Sequence, residues 1–136
     1  MEKITCVIIE SNEKDSEKLT LQLSETNSVA IVGATKNTKD GLVLVNDLGP
    51  NLLFLAVKAD DVTAFKFLEK IKKQPTIVFL VNDEASIKTF QTNQLRYLKK
   101  PLKSNDVKQL LMDFQKTHQQ LGTKMQGLLG KLKFED

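Results

Sequence analysis

Four segments of the chain place polar or ionisable residues directly behind an apolar run. Glu10, Ser11 and Asn12 follow Ile4 to Ile9, and Asp60 and Asp61 lie a few residues beyond Leu52 to Val57, a run that carries Ala56 near its end. Asn82 follows Thr76 to Val81, and Lys99, Lys100 and Pro101 follow a short run at about Arg96 to Leu98. If these runs are strands of one open parallel sheet, their carboxyl ends converge on a single crevice. An acid, a hydroxyl and an amine gathered there could hold a cation or bind an anion.

Several of these chemistries are excluded by what is missing. The first loop, IIESNEKD, has no glycine, so its backbone amides cannot wrap a phosphate as a dinucleotide or P-loop turn does. No histidine stands at any of these strand ends, which leaves no activated nucleophile of the triad kind there. Asp60 and Asp61 are neighbours on one loop, whereas Mg²⁺ takes oxygen ligands converging from separate segments, so both are read as solvated acids. His118, the only histidine, sits on a helix flank without a second soft ligand and reads as a packing or surface residue. Cys6 lies inside the first apolar run and reads as a core thiol, and one cysteine permits no internal disulfide. No enzyme, metal or cofactor is expected.

With 136 residues, 40% apolar and 27% charged, the composition is that of one soluble globular domain. The apolar runs are far shorter than the roughly 18 residues a membrane helix needs, and the N-terminus lacks a signal-peptide pattern, so a cytoplasmic location is expected. The net charge of +3 comes mainly from lysines dispersed over the second half, with one arginine, Arg96. That pattern reads as a solvated surface rather than a direct DNA contact.

The segments between the runs have helical spacing. Asn12 is placed to cap a helix over about Glu13 to Ser24, with Leu19 and Leu23 on one face. Val29 to Ala34 is a second strand, and Asn37 or Thr38 caps a helix turning Leu42, Val45 and Leu48 inward until Gly49 and Pro50 end it. Leu52 to Val57 is apolar throughout, as a central strand buried on both faces should be. Val62 to Lys72 is expected to bury Phe65, Leu68 and Ile71. Asn82 is expected to cap a polar helix, Asp83 to Thr92, with Ala85, Ile87 and Phe90 to bury. Ser104 is expected to cap the last helix, where Val107, Leu110, Leu111, Phe114, His118 and Leu121 recur before Gly122. The implied class is α/β, a doubly wound five-stranded parallel sheet flanked by five helices, flavodoxin-like. Residues 1–121 form the domain, and 122–136 read as a linker or tail leading to an output domain this sequence lacks.

The order of elements, the Pro50-Asn51 entry into the third strand, the DEASIKTF segment and the LRYLKKPL stretch together resemble the receiver domain of two-component response regulators, over about residues 3 to 121. The resemblance implies two acids behind strand one, a phosphoryl-accepting Asp at the end of strand three, a Thr or Ser after strand four and a Lys-Pro pair after strand five. This sequence presents Glu10 and Ser11, Ala56, Val81, and Lys100 with Pro101 at those places. A methyl group offers no acceptor oxygen and one acid is a poor Mg²⁺ ligand set, so the chain resembles a degenerate pseudo-receiver. Lys100 is then expected to pair with Glu10 or swing to solvent, while Ala56 and Val81 close part of the site by packing.

The function implied is a signal-transduction regulatory domain acting by phosphorylation-independent protein–protein interaction. Its partner would be a signalling protein or a second copy, met through helix four, strand five and helix five. Tyr97, Phe90 and Pro101 are the switch or interface candidates there, although Phe90 is expected to be core. Two alternatives stand beside this: the regulatory half of a DNA-binding transcriptional regulator, reaching DNA only through a missing output domain, and a small-anion binder at Lys100.

Overall fold

Short β-branched and leucine-rich runs pair into one parallel sheet in the computed structural model, which describes residues 3–57, 62–92 and 95–116. The expectations for Asp60, Asp61, His118, Leu121, Gly122 and the 122–136 tail lie outside the described residues. The strands are β1 (Ile4–Ile9), β2 (Val29–Thr35), β3 (Leu52–Ala56), β4 (Thr76–Val81) and β5 (Tyr97–Lys99). They alternate with α1 (Glu13–Ser24), α2 (Thr38–Leu48), α3 (Val62–Glu69) and α4 (Glu84–Thr92), and residues 104–116 form α5. The strand order is β2-β1-β3-β4-β5, so the winding direction reverses between β1 and β3. Pairings of Ile9 with Leu55, Ala56 with Leu80 and Val81 with Lys99 bring the carboxyl ends level at that crevice.

Alternation along the strands feeds two separate cores. Cys6, Ile8, Phe54 and Leu80 pack with Leu19 and Leu23 of α1 and with Val107, Leu111 and Phe114 of α5. Val7, Leu53, Leu55 and Phe79 pack on the opposite face with Val45 of α2, Ala64 and Phe67 of α3, and Ile87 and Phe90 of α4. Local signals set the boundaries. The Asn12 and Asn37 side chains accept hydrogen bonds from the amides of Asp15 and Asp40, and Gly49 closes α2 at a φ of 55°. Asn51 pins the start of β3 to β1, because its Oδ1 accepts from both the amide and the hydroxyl of Thr5. Among the described residues no helix is long and apolar enough to cross a membrane.

Several details depart from the sequence-based expectations. In α3 the inward residues are Ala64 and Phe67, with Leu68 half-buried and Ile71 buried just beyond the helix end; Phe65 is exposed. Equal steps of three, as in 65, 68 and 71, drift round a helix, whereas 64, 67, 68 and 71 follow its true period. Leu48 in α2 is exposed for the same reason, since 42, 45 and 48 are also equal steps of three. The cap of α4 is Asp83 rather than Asn82: its carboxylate accepts from the Ser86 amide at 2.6 Å and from the Ser86 hydroxyl at 2.8 Å. Ser86, so held, is buried where Ala85 was expected. Helix α5 starts one residue early, with Ser104 already helical and the Lys103 carbonyl accepting from Val107 N.

Phe90 is not a surface residue. It is 2% exposed and stacks on Phe79 with ring centroids 4.5 Å apart and planes 8° from parallel. It is the largest apolar anchor of an otherwise polar helix. Phe90→Ala is therefore expected to destabilise the domain by about 3 kcal/mol, read as a lower urea midpoint; an unchanged midpoint would show that α4 is held by other contacts.

Candidate functional site

The crevice is built from the ends of β1, β3 and β4 and from the residue after β5. Glu10 leaves β1 with its amide donating to the Thr35 carbonyl at 3.0 Å, which fixes its backbone against β2. Its side chain is turned into the protein and is only 2% exposed. Lys100 is fixed in the same way, since its amide donates to the Val81 carbonyl at 2.7 Å and so continues the β5 pairing with β4. The peptide between Lys100 and Pro101 is cis.

From these anchors the two side chains meet. Lys100 Nζ lies 2.8 Å from Glu10 Oε2 and 3.1 Å from Asp15 Oδ2, with 15% of the lysine side chain exposed. The other carboxylate oxygen, Glu10 Oε1, accepts from the Asn12 amide at 3.0 Å. Among the described residues no hydrogen-bond donor besides the ammonium serves the buried Oε2. Asp15 was not among the residues singled out from the sequence. The signal for it was present: it stands in the first turn of a helix capped by Asn12, and helical side chains lean toward the N-terminus, here the carboxyl edge of the sheet.

The remaining positions contribute no reactive group. Ala56 is half-buried against the core shared with α1 and α5, and Val81 is fully buried in the other core. Ser11 is exposed, as is Pro101. Tyr97 is half-buried beside α4, and its hydroxyl accepts from Gln91 Nε2 at 2.8 Å. Among the described residues the donor set does not fit a resident Mg²⁺: the carboxylates of the crevice, Glu10 and Asp15, both face an ammonium that already supplies positive charge.

Electrostatics favour the charged form of Lys100. Burial alone would push its ammonium down, but the contacts and charges of Glu10 and Asp15 outweigh this and hold it above its ordinary value. A cation whose pKa is higher folded than unfolded stabilises the fold fully below the unfolded pKa and loses that contribution as pH rises through the folded one. The stability difference between the wild-type chain and Lys100→Met is thus expected to hold through neutral pH and to shrink as pH rises above the ordinary lysine value of 10.5. Near neutrality Lys100→Met is expected to cost about 3 kcal/mol, because it strands a buried carboxylate, and Glu10→Leu in the same chain to recover most of it. Urea titrations across pH check both; an equal loss in the single and double variants would show that the pairing carries no such energy.

No family model matches the chain. It is similar to an uncharacterized response regulatory protein of Vibrio parahaemolyticus, with 31% identity over 102 residues, 73% of this chain and 42% of that protein. It is likewise similar to the transcriptional regulatory protein BtsR of Escherichia coli, with 30% identity over 102 residues, 73% of this chain and 43% of BtsR. The chain thus spans less than half the length of these curated relatives. The response regulatory domain of protein mrkE from Klebsiella pneumoniae superposes with a TM-score of 0.71 at 17% identity, covering 86% of this chain and 99% of that one. The RcsB response regulator of Salmonella typhimurium superposes at 0.73 and 17%, covering 86% and 61%. The strand order, the level carboxyl ends and these likenesses show the flavodoxin-like fold of response-regulator receiver domains, in a chain similar in sequence to response regulatory proteins.

Proposed function

We propose that this domain is a signal-transduction regulatory module that acts by protein–protein contact without a phosphorylation cycle. The observation that carries the reading is the occupant of the crevice. At the end of β3 stands the methyl of Ala56, and the lysine that would meet an incoming anion is already engaged by Glu10 and Asp15. Phosphoryl transfer needs an in-line acceptor oxygen and a metal to spread its charge, and neither is supplied by these residues. On this reading the module is a degenerate receiver, located in the cytoplasm, that works without a cofactor.

The contact surface proposed is the one formed by α4, β5 and α5, for a signalling protein or a second copy of the chain. Tyr97 and Pro101 are accessible there, and Lys99 makes an exposed ion pair with Glu84 at 3.1 Å. Phe90, buried beneath that surface, supports it from inside. A second reading is favoured by BtsR, a transcriptional regulatory protein: residues 1–121 would be the regulatory half of a DNA-binding regulator, with DNA met by another domain through the 122–136 segment. Binding of a small anion at Lys100 has less support, because the anion would have to displace two carboxylates.

Incubation with acetyl phosphate and Mg²⁺ is expected to leave the intact mass unchanged, and beryllofluoride to leave the melting temperature unchanged, beside a receiver that retains its acceptor as positive control. A stoichiometric phosphoryl adduct mapped within residues 1–121 would overturn the reading.

A further inference from the structure

On the sheet face opposite α1 and α5, the first turns of α2 and the body of α3 enclose a cavity of about 270 Å³ lined by Thr38, Lys39, Leu42, Thr63, Lys66, Phe67 and Lys70. Its composition is divided. Phe67 is buried and Leu42 half-buried, so the floor is apolar, whereas the rim carries the ammonium groups of Lys39, Lys66 and Lys70 and the hydroxyls of Thr38 and Thr63.

Among the described residues no carboxylate pairs with Lys39, Lys66 or Lys70; the described ion pairs use Lys99 and Lys100 instead. Asp40, the nearest acid on α2, has its carboxylate engaged by the Asn37 side-chain amide at 3.1 Å. Lys66, in the last turn of α3, and Lys70, just beyond its end, carry like charge on one side of the groove, and Lys39 joins them from the other. For solubility alone an acid at either position would serve better. The repulsion is relieved when an anion sits among the three.

We infer that this cavity is a binding site for a small amphiphilic anion, a phosphate or carboxylate carried on an apolar body. The apolar part covers Leu42 and Phe67, and the anionic end takes the ammonium and hydroxyl donors of the rim. The volume lies just below the range of typical small-molecule sites, which limits the apolar part to about one aromatic ring. Lysines suit such a ligand because they act as mobile point charges rather than as a planar fork. The site is independent of the Lys100 crevice and does not rest on how that crevice is used.

Nuclear magnetic resonance of the full 136-residue chain tests this, with phenyl phosphate as probe and inorganic phosphate and benzyl alcohol as the charge-only and apolar-only comparisons. Phenyl phosphate is expected to give saturable amide shifts confined to residues 38–42 and 63–70, and to bind more tightly than either comparison. Lys39→Gln with Lys66→Gln, both exposed positions, is expected to weaken that binding about tenfold or more. The inference is overturned by shifts that do not saturate, by shifts spread over lysines elsewhere on the chain, by inorganic phosphate binding as well as phenyl phosphate, or by unchanged affinity in the double variant.

Discussion

A carboxylate shut away from water must have a cation, and much of the carboxyl edge of this sheet is arranged around that requirement. Glu10 is turned inward at the end of β1, and an unpaired charge there would cost several kcal/mol. Lys100 answers it from the far side of the sheet, reaching past β4 and β3 because its own backbone is held to Val81. Asp15 brings a second carboxylate to the same ammonium from α1, and Asn12 serves twice, donating its amide to Glu10 and accepting from the amide of Asp15. The ion-paired cluster thus ties β1, α1 and the start of the β5–α5 loop into one unit.

The parallel sheet makes that cluster possible. Because every strand runs the same way and the ends lie level, residues from Glu10 to Lys100, far apart in sequence, arrive at one edge. The two apolar layers beneath are divided by strand alternation, so the crevice sits above the junction of two cores. Ala56 belongs to one and Val81 to the other. Each adds packing beneath the crevice, and the ion-paired cluster above joins the elements that meet there.

How much of this was legible in the sequence depends on what kind of signal encoded it. Strands such as Leu52–Ala56 and caps such as Asn12 and Gly49 are written locally, in apolar runs and in residues with special backbone or side-chain preferences, and they read directly. The Glu10–Lys100 pairing could be anticipated because strand ends in this architecture converge. Helix rotation was harder. A small residue such as Ala64 buries as effectively as a large one, and Phe65 drew attention by size although the helical period points it outward. Asp83 lost the capping role to Asn82 on paper because the two are adjacent, and only the hydrogen bonds to Ser86 separate them. Asp15 was encoded less directly: the Asn12 cap puts it in the first turn of α1, but its partner Lys100 lies far along the chain.

Lys99 and Lys100 show how far strand alternation can separate neighbours. Lys99 points outward to an exposed Glu84, while Lys100 turns inward to Glu10 and Asp15. Dissolved ions screen the first pair over a Debye length of about 8 Å at physiological ionic strength and reach the second poorly. Two consecutive residues of the same type therefore live in different dielectric worlds: the ionic composition of the surroundings tunes how β5 meets α4, while the joint between β5 and α1 stays indifferent to it.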